Sequence, residues 1–312
     1  GLPRRDFGHV LSMSNESVVA VIGVNGFVGR GLPRLLRERG FGVLGVSRSG
    51  GGEVADVNRW QSMAAMDFAG CHAVVNLAGE AIDRRWSAAN RKKFHESRIG
   101  VTRRVVELMR NLPADQRPKV LVNASAVGIY GDRGEEELDE RSAMGKGYLV
   151  DLCREWEEAA MEAEALGVRV VCLRIGVVLG RGGSAFEKLV RVMKVGLGGK
   201  LGNGRQWMPW IHVHDLRRAI VEAVADERMR RAVNAVAPMG ERNVDFTRKF
   251  AKRLRRPAIL PVPAFALKLA LGGFGGVLLA SQKVRPAMLE SLGFHFRHAD
   301  FESALDDLLG AV

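Results

Sequence analysis

The 312-residue sequence is poor in cysteine, and it has no internal repeat or low-complexity tract. Its three cysteines, Cys71, Cys153 and Cys172, show neither the pairing pattern of a disulfide-rich secreted protein nor the spacing of a zinc site. We therefore expect reduced, mostly buried thiols, which suits the cytosol, a mitochondrial matrix or a plastid stroma. With 47% hydrophobic and 26% charged residues, the composition is that of a folded globular protein.

Acidic side chains are also scarce. The 35 Asp and Glu residues are outnumbered by 47 Lys and Arg residues, which gives a formal net charge of +12. Such an excess favours acidic partners, which include RNA, an anionic membrane face and an acidic protein surface. The basic residues are scattered and are not interleaved with aromatic side chains, so they favour a solvated basic surface, and a nucleic-acid partner rests on charge alone.

The sequence has no uninterrupted hydrophobic run long enough to cross a bilayer. The most apolar stretch, residues 263–281 (PAFALKLALGGFGGVLLAS), contains Lys268 and a GGFGG break. A spanning helix needs about 20 consecutive apolar residues. The stretch therefore predicts a helix, a turn and a second helix, and no transmembrane span.

The first residues lack an initiating methionine. The chain starts at Gly1 and continues with Arg4, Arg5 and a serine-rich stretch, and Met13 stands where a compact domain would begin. We expect residues 1–17 to be an N-terminal extension, either the remnant of a transit peptide or a cloning remnant or natural cytosolic tail.

Apolar runs alternate with helical patterns from residue 18 onward. Runs near 18–22, 41–47, 72–77, 119–124 and 168–173 lack polar alternation, and helical stretches separate them, notably 88–110 and 151–166. Such runs are typical of parallel strands covered on both faces. The fold class is therefore α/β, a Rossmann-type doubly wound parallel sheet with a small, mainly helical C-terminal lobe. We expect a dinucleotide-binding core at 18–180, followed by the remaining sheet elements and a lobe facing a substrate or partner at 181–312.

The stretch AVIGVNGFVGR (20–30) carries a glycine pattern between a strand and a helix. Gly23, Gly26 and Gly29 are spaced to allow a tight turn, close approach of the backbone to a phosphate, and packing of the helix on the strand. The pattern predicts that a dinucleotide lies against this loop, at Gly23, Asn25, Gly26, Phe27, Val28 and Gly29.

The end of the second strand bears on the choice of dinucleotide. It reads GVSRSG, with Ser47 and Arg48 where a carboxylate would bind the ribose of NAD. An arginine here favours NADP(H) over NAD(H), although Arg48 is also compatible with a plain surface charge. Asp56 is a candidate contact to the adenine edge.

Two later strand ends complete the expected cofactor path. NLAGE (76–80) ends the third strand and offers Asn76, Leu77, Ala78 and Gly79 to a ribose. NASAVGIYGD (123–132) ends the fourth and places Ser125, and with it Tyr130, near the nicotinamide end.

These segments carry a family likeness. The runs GVNGFVGR, NLAGEAI, SRIGVTR, CREWEEAA and GRQWMPWIHVHDL, together with the C-terminal LPVPAFAL, resemble the epimerase-like 39U family of extended or atypical short-chain dehydrogenases/reductases. The resemblance runs from about residue 18 to the C-terminus, and it implies NADP binding on a Rossmann fold with a C-terminal lobe. Three features depart from the family: Ile22, Val24 and Asn25 replace small or hydroxylated loop residues, His214 replaces an aspartate, and GGFGG replaces a more polar stretch.

The superfamily's Tyr-x-x-x-Lys pair is missing. Its lysine matters because a phenol with a pKa near 10 is a poor base at neutral pH. Tyr148 is followed four positions later by Leu152, and alignment on Glu157 instead gives Leu149 and Cys153. Ser125, Tyr130 and Tyr148 remain as candidate catalytic residues.

A histidine pair and a tryptophan pair are further candidates for site residues. His212 and His214 would share a face of a strand at metal-like spacing, but Asp215 is better interpreted as the cap of a helix starting at Leu216, and no metal is predicted. Trp207 and Trp210 fit either a substrate pocket or the core.

Three functions are compatible with these patterns. The favoured one is a noncatalytic NADP(H)-binding protein, an accessory subunit of an organellar assembly, on the mitochondrial matrix side rather than in the stroma, with the cytoplasm as a further option. The alternative is an NADP-dependent oxidoreductase or epimerase acting on a carbonyl or sugar-like substrate. An RNA-associated protein is the third.

Overall fold

The protein is described from a computed structural model that covers residues 17–196, 198–258 and 260–310. The N-terminal extension predicted for residues 1–17 lies outside these residues except for Ser17.

Strands and helices alternate through the first two thirds of the chain. The strands are β1 (Val18–Ile22), β2 (Gly42–Ser47), β3 (Arg59–Ser62), β4 (Ala73–Asn76), β5 (Val120–Ala126), β6 (Glu137–Leu138), β7 (Arg169–Ile175), β8 (Val177–Leu179), β9 (Trp207–Met208), β10 (Trp210–His212), β11 (Arg231–Ala235), β12 (Glu241–Arg242) and β13 (Lys283–Val284). The helices are α1 (Leu32–Glu38), α2 (Ala88–His95), α3 (Val101–Asn111), α4 (Tyr148–Met161), α5 (Ser184–Lys194), α6 (Val213–Ala225), α7 (Asn243–Arg253), α8 (Ala264–Leu271), α9 (Gly273–Leu279), α10 (Ala287–Ser291) and α11 (Phe301–Leu309).

A seven-stranded parallel sheet forms the centre. Its strand order is β11-β7-β5-β4-β1-β2-β3. Successive side chains of β1 point to opposite faces of the sheet. Val19 and Val21 pack in a buried cluster on one face, and Ala20 and Ile22 pack in a second buried cluster on the other. Helices cover both faces, so the Rossmann-type doubly wound sheet predicted from the sequence is confirmed.

Two strands of this sheet were not predicted. β3 lies at the edge, is partly exposed and includes Arg59 and Gln61, so it lacks a continuous apolar run. β11 is short and contains Asn234. Because β11 follows residue 180, the central sheet is completed by the later part of the chain.

The predicted helix at 88–110 is interrupted in its middle. A five-residue π-helical turn, Glu96–Gly100, separates α2 from α3. Single π turns inside helices are often found at functional sites. Here the turn brings residues 96 and 97 to the carboxyl edge of the sheet.

The C-terminal lobe is mainly helical, as predicted. Aromatic side chains form much of its core, at Phe186, Trp210, Phe246, Phe250 and Phe301. The apolar stretch 263–281 forms α8 and α9, with Gly272 between them at a φ of 58°. In the part of the chain that the structure describes, no helix has the length and apolar character needed to cross a membrane.

The helix predicted from Leu216 begins three residues earlier, and its cap differs from the prediction. His212 caps α6, because its Nδ1 accepts a hydrogen bond from the His214 amide at 3.1 Å. Asp215 is fully buried in the first turn and accepts from the amides of Arg297 and His298. The capping role predicted for Asp215 is therefore wrong; it fastens the segment before α11 to α6.

Candidate functional site

The glycine loop lies at the carboxyl end of β1, in the middle of the sheet. Gly23 has a φ of 81°, and its amide donates to the Val46 carbonyl at 3.0 Å. A Cβ on Gly29 would lie 2.3 Å from the Gly23 carbonyl oxygen, so only glycine fits there. A Cβ on Gly26 would lie 3.0 Å from that same oxygen. The three glycines therefore perform steric roles of the kind predicted from their spacing.

A side chain from α6 supports the loop from behind. Arg217 donates from Nη2 to the Phe27 carbonyl at 2.6 Å and from Nε to the Val28 carbonyl at 2.9 Å. Among the described residues, the amides of Phe27 and Val28 donate to no protein acceptor. The Phe27 ring rests on Gly180 and Gly183. Unpaired amides directly before a helix are suited to binding an anion.

An open cleft of about 990 Å³ follows the loop along the carboxyl edge. One wall comes from β1, β2 and β4, and the other from α2, the π turn and α3. Its lining consists of Gly23, Asn25, Gly26, Ser47, Arg48, Ser49, Met63, Leu77, Ala78, Gly79, Glu80, Lys93, Glu96, Ser97 and Val101. Sequence reasoning missed the second wall, although residues 93, 96, 97 and 101 have the spacing of one helical face.

The turn after β2 is organised around a serine. Ser47 Oγ accepts from the amides of Gly50 and Gly51, both at 3.1 Å, and donates to the Gly51 carbonyl at 2.8 Å. Asn25 Nδ2 donates to the same carbonyl at 2.9 Å and so joins the turn to the glycine loop. Arg48 is exposed, lines the cleft and makes no ion pair with a described residue. Its guanidinium is available to an anion.

Asp56 lies away from the cleft. It precedes β3, at the amino-terminal edge of the parallel sheet, and has a φ of 64°. Its Oδ1 is 3.8 Å from Nε of Arg37. The adenine contact predicted for Asp56 has no support in this position, because dinucleotides bind at the opposite edge.

The four cofactor-binding residues predicted at the end of β4 have two different roles in the structure. Leu77, Ala78 and Gly79 line the cleft. Asn76 is fully buried, and its Nδ2 donates to Thr102 Oγ1 at 3.0 Å and to Asn123 Oδ1 at 2.7 Å. Asn76 therefore positions the strand end from within rather than presenting its amide to the cleft.

Ser125 belongs to a buried charged network. Its hydroxyl donates to Glu157 Oε1 at 2.7 Å, and Arg174 binds both carboxylate oxygens of Glu157 at 2.9 Å. Burial raises the pKa of Tyr130, whose hydroxyl donates to Asn234 Oδ1 at 2.7 Å and accepts from Arg174 Nη1 at 3.0 Å. Ser125 and Tyr130, two of the candidate catalytic residues, thus have protein partners below the cleft.

The third candidate, Tyr148, is held at the start of α4. Its ring lies 5.0 Å from the Trp86 ring and 4.4 Å from the Arg91 guanidinium carbon. Trp86 in turn covers Gly273 of the lobe, where a Cβ would lie 2.4 Å from the indole. Gly273, one of the glycines that depart from the family pattern, therefore makes room for Trp86. The structure does not bring Ser125, Tyr130 and Tyr148 to one point.

The helix that would carry the Tyr and Lys pair buries apolar groups instead. Leu152 and Cys153 are both buried. Burial raises the pKa of the Cys153 thiol to about 12 and that of Cys71 to about 11, and it raises the pKa of Cys172 as well. A buried thiol of this kind cannot replace lysine as a cation, nor does it form a thiolate at neutral pH.

We predict that iodoacetamide at pH 8 will leave the native protein unlabelled, because the thiolate is the reactive species and all three thiols are buried. Intact-mass spectrometry would measure the adducts, and the same reaction in denaturant provides the control. Rapid labelling of Cys153 in the native state would show that α4 opens and would contradict this expectation.

The tryptophan pair and the histidine pair that the sequence offers as site candidates lie outside the cleft. Trp210 is buried in the lobe, and Trp207 donates from its indole to Glu135. His212 Nε2 lies 3.2 Å from Asp307 Oδ2, and the His298 ring is tilted against the His212 ring. Because Nδ1 of His212 accepts an amide hydrogen and burial lowers its pKa to about 4, the neutral ring carries its proton on Nε2. This nitrogen makes no hydrogen bond to a described residue, and while it is protonated it has no lone pair to offer a metal ion.

Comparisons with known proteins agree with this geometry. Residues 19–235 match the NAD dependent epimerase/dehydratase family, and residues 262–308 match the domain of unknown function DUF1731. "Epimerase family protein SDR39U1 homolog, chloroplastic" from Arabidopsis thaliana is 40% identical over 96% of this chain and 90% of its own length. "Epimerase family protein Mb2239" from Mycobacterium bovis is 36% identical over 93% of this chain and 97% of its own length.

A solved structure gives the same result in three dimensions. The crystal structure of human epimerase family protein SDR39U1 (isoform 2) with NADPH superposes with a TM-score of 0.85 at 32% identity, and the alignment covers 95% of this chain and all of that one. Family model, relatives and structure thus agree over nearly the whole described chain. The chain belongs to the NAD dependent epimerase/dehydratase family of short-chain dehydrogenases/reductases, in the SDR39U1 branch with its C-terminal DUF1731 domain.

Proposed function

We propose that the chain binds NADP(H) along the cleft at the carboxyl edge of the sheet. The adenosine half would lie near Arg48 and Met63, the pyrophosphate at Gly23–Gly29 and the nicotinamide half beyond Leu77. The observation that carries the proposal is the glycine loop: Gly23 and Gly26 line the cleft, and the adjacent amides of Phe27 and Val28 have no acceptor among the described residues. The human SDR39U1 structure holds NADPH, which supports the same choice of cofactor.

Arg48 is the residue that would select NADP(H) over NAD(H). The turn after β2 offers Ser47, Arg48 and Ser49 and no carboxylate, so it suits a ribose phosphate and leaves a free ribose hydroxyl without the acidic partner typical of NAD sites. Asn25 would act indirectly, since its amide fixes this turn to the loop.

We expect Arg48→Ala to weaken NADPH binding by roughly tenfold, the effect of losing one exposed charge-assisted hydrogen bond to a phosphate, and to leave NADH binding unchanged. Fluorescence titration of both nucleotides would measure the change. Arg34→Ala is the matched control, because Arg34 is an exposed arginine on α1 paired with Glu38. Equal weakening of NADPH and NADH, or no weakening of either, would contradict the assignment.

We further propose that the site lacks the superfamily's standard Tyr and Lys chemistry. Support comes from the partners of Ser125 and Tyr130, from the packing of Tyr148 against Trp86 and Arg91, and from the apolar burial of Leu152 and Cys153. Mass spectrometry of the purified native protein should detect bound NADP(H), and added carbonyl compounds should not oxidise the bound NADPH. Turnover with a carbonyl or sugar-like compound would favour the alternative, an oxidoreductase or epimerase.

A role as an accessory subunit fits one surface feature. α8 exposes Phe265 and Leu269, which are 73% and 77% accessible and lie one helical turn apart. An exposed apolar pair of this kind suits a protein partner. Elution of the native protein as part of a larger particle would support the role, and elution as a free 34.1 kDa chain would count against it.

An organellar location also remains a proposal. The mitochondrial matrix was favoured over the plastid stroma from the sequence, whereas the printed name of the Arabidopsis relative points to the plastid for that protein. Fractionation of the source cells would decide between matrix, stroma and cytoplasm.

A further inference from the structure

An arginine lies near the segment of α4 that would carry the missing Tyr and Lys pair. Arg98 belongs to the π turn between α2 and α3. A Cβ built on Gly79 would lie 3.3 Å from its Cζ and Nη2, so the guanidinium rests against the backbone at the end of β4. On its other side, Cζ lies 5.2 Å from the Trp156 ring of α4. The guanidinium is thus held between the cleft wall and the helix of the absent pair.

The charge of Arg98 has few partners in the protein. Among the described residues, its guanidinium makes one hydrogen bond, a long contact from Nη1 to Ser97 Oγ at 3.5 Å. Within the described ranges it makes no ion pair, and the neighbouring Glu80 carboxylate binds Arg84. Burial lowers the pKa of Arg98, with Cys153, Tyr148 and Glu80 among the groups around it, yet a guanidinium stays protonated at neutral pH. An unneutralised cation therefore adjoins Gly79.

Gly79 lies on the nicotinamide side of the glycine loop. In the sheet, β4 follows β1 on the side away from β2 and β3. A dinucleotide that places its adenosine over β2 places its other half over β4 and β5. The nicotinamide ring is positively charged in NADP⁺ and neutral in NADPH, so a fixed cation at this end penalises only the oxidised form.

On the basis of the proposed NADP(H) site, we propose that Arg98 is the cation of the nicotinamide end and makes the site bind NADPH in preference to NADP⁺. Arg98 acts as a positioning and charge-selecting residue. The π turn positions Arg98 for this role. Its extra residue places position 98 next to Gly79, while residues 96 and 97 stay on the cleft wall.

The test compares three ligands across four proteins. NADPH, NADP⁺ and adenosine 2′,5′-bisphosphate, which has no nicotinamide, are titrated calorimetrically into the unmodified chain, Arg98→Met, Arg98→Lys and Arg91→Met. Arg91, an exposed arginine of α2, is the matched control, since it also stacks on an aromatic ring. Arg98→Gln serves if Arg98→Met fails to fold.

In Arg98→Met, the ratio of the Kd for NADP⁺ to the Kd for NADPH should fall by roughly five- to tenfold, with the bisphosphate affinity unchanged. Arg98→Lys should keep most of the ratio, and Arg91→Met all of it. An unchanged ratio in Arg98→Met, or equal weakening of all three ligands, overturns the inference and leaves the proposed function standing. Failure of the unmodified chain to bind either dinucleotide overturns both.

Discussion

Replacing Gly29 by alanine is expected to reduce NADPH affinity by at least about 100-fold and to destabilise the fold. The added methyl would lie 2.3 Å from the Gly23 carbonyl oxygen and 2.9 Å from the Val24 Cα, which are backbone atoms of the glycine loop directly after β1. A side chain in the way could rotate, but these backbone atoms cannot, so the loop itself must move. Overpacking of this kind costs about 3 kcal/mol or more when no neighbour yields. The displaced loop would no longer direct its amides into the cleft.

Isothermal titration with NADPH and thermal unfolding would measure the two effects. Gly276→Ala is the control, because a Cβ at Gly276 meets nothing within 4 Å and its backbone has no positive φ. That variant should bind NADPH normally and be at least as stable, since alanine favours helix. Normal NADPH binding by Gly29→Ala would mean that the cofactor binds away from the glycine loop.

Glu157→Gln, on α4, is expected to be strongly destabilising. It leaves the Arg174 guanidinium, whose side chain is 6% exposed, without its counter-charge, while Ser125 loses a carboxylate acceptor. Removing one member of a buried ion pair costs about 3 to 5 kcal/mol. The free energy of unfolding should fall by this amount in urea denaturation.

Two further variants separate charge from packing. Glu158→Gln lies next along α4, where Glu158 is exposed, and it should change the stability by less than about 0.5 kcal/mol. Methionine at both 157 and 174 removes both charges and should cost less than Glu157→Gln alone, because no unpaired ion remains. A loss below about 1 kcal/mol in Glu157→Gln would indicate that water reaches Arg174.

The sequence predicted the parts of the site whose structure is local. The order of strand, glycine turn and helix at residues 18–38 depends on neighbouring residues and on the steric needs of Gly23, Gly26 and Gly29, and β1 was predicted with its observed bounds. The ends of β2 and β4 followed from the same rule, that parallel strands share a carboxyl edge. The fold, and the cleft that we propose as the cofactor site, were therefore accessible from single segments.

The residues whose role depends on distant partners were not predictable in this way. Asn76 looks like a ribose contact until Thr102 and Asn123 are seen to bind its amide, 26 and 47 positions away. Asp56 follows β2 in sequence but turns back to the opposite edge because β3 begins there. Arg98 and Arg217 carry no local sign of their function, since each acquires it from a backbone contact made by the fold.

The contact between Arg217 and the glycine loop bears on the order in which the protein is made. The carbonyls of Val28 and Phe27 accept hydrogen bonds from Arg217, which lies 189 and 190 positions further along the chain. During synthesis the loop is made before α6, so these two hydrogen bonds form only after Arg217 has been added. A chain that ends before Arg217 would keep the glycine pattern and lack both hydrogen bonds to the loop carbonyls.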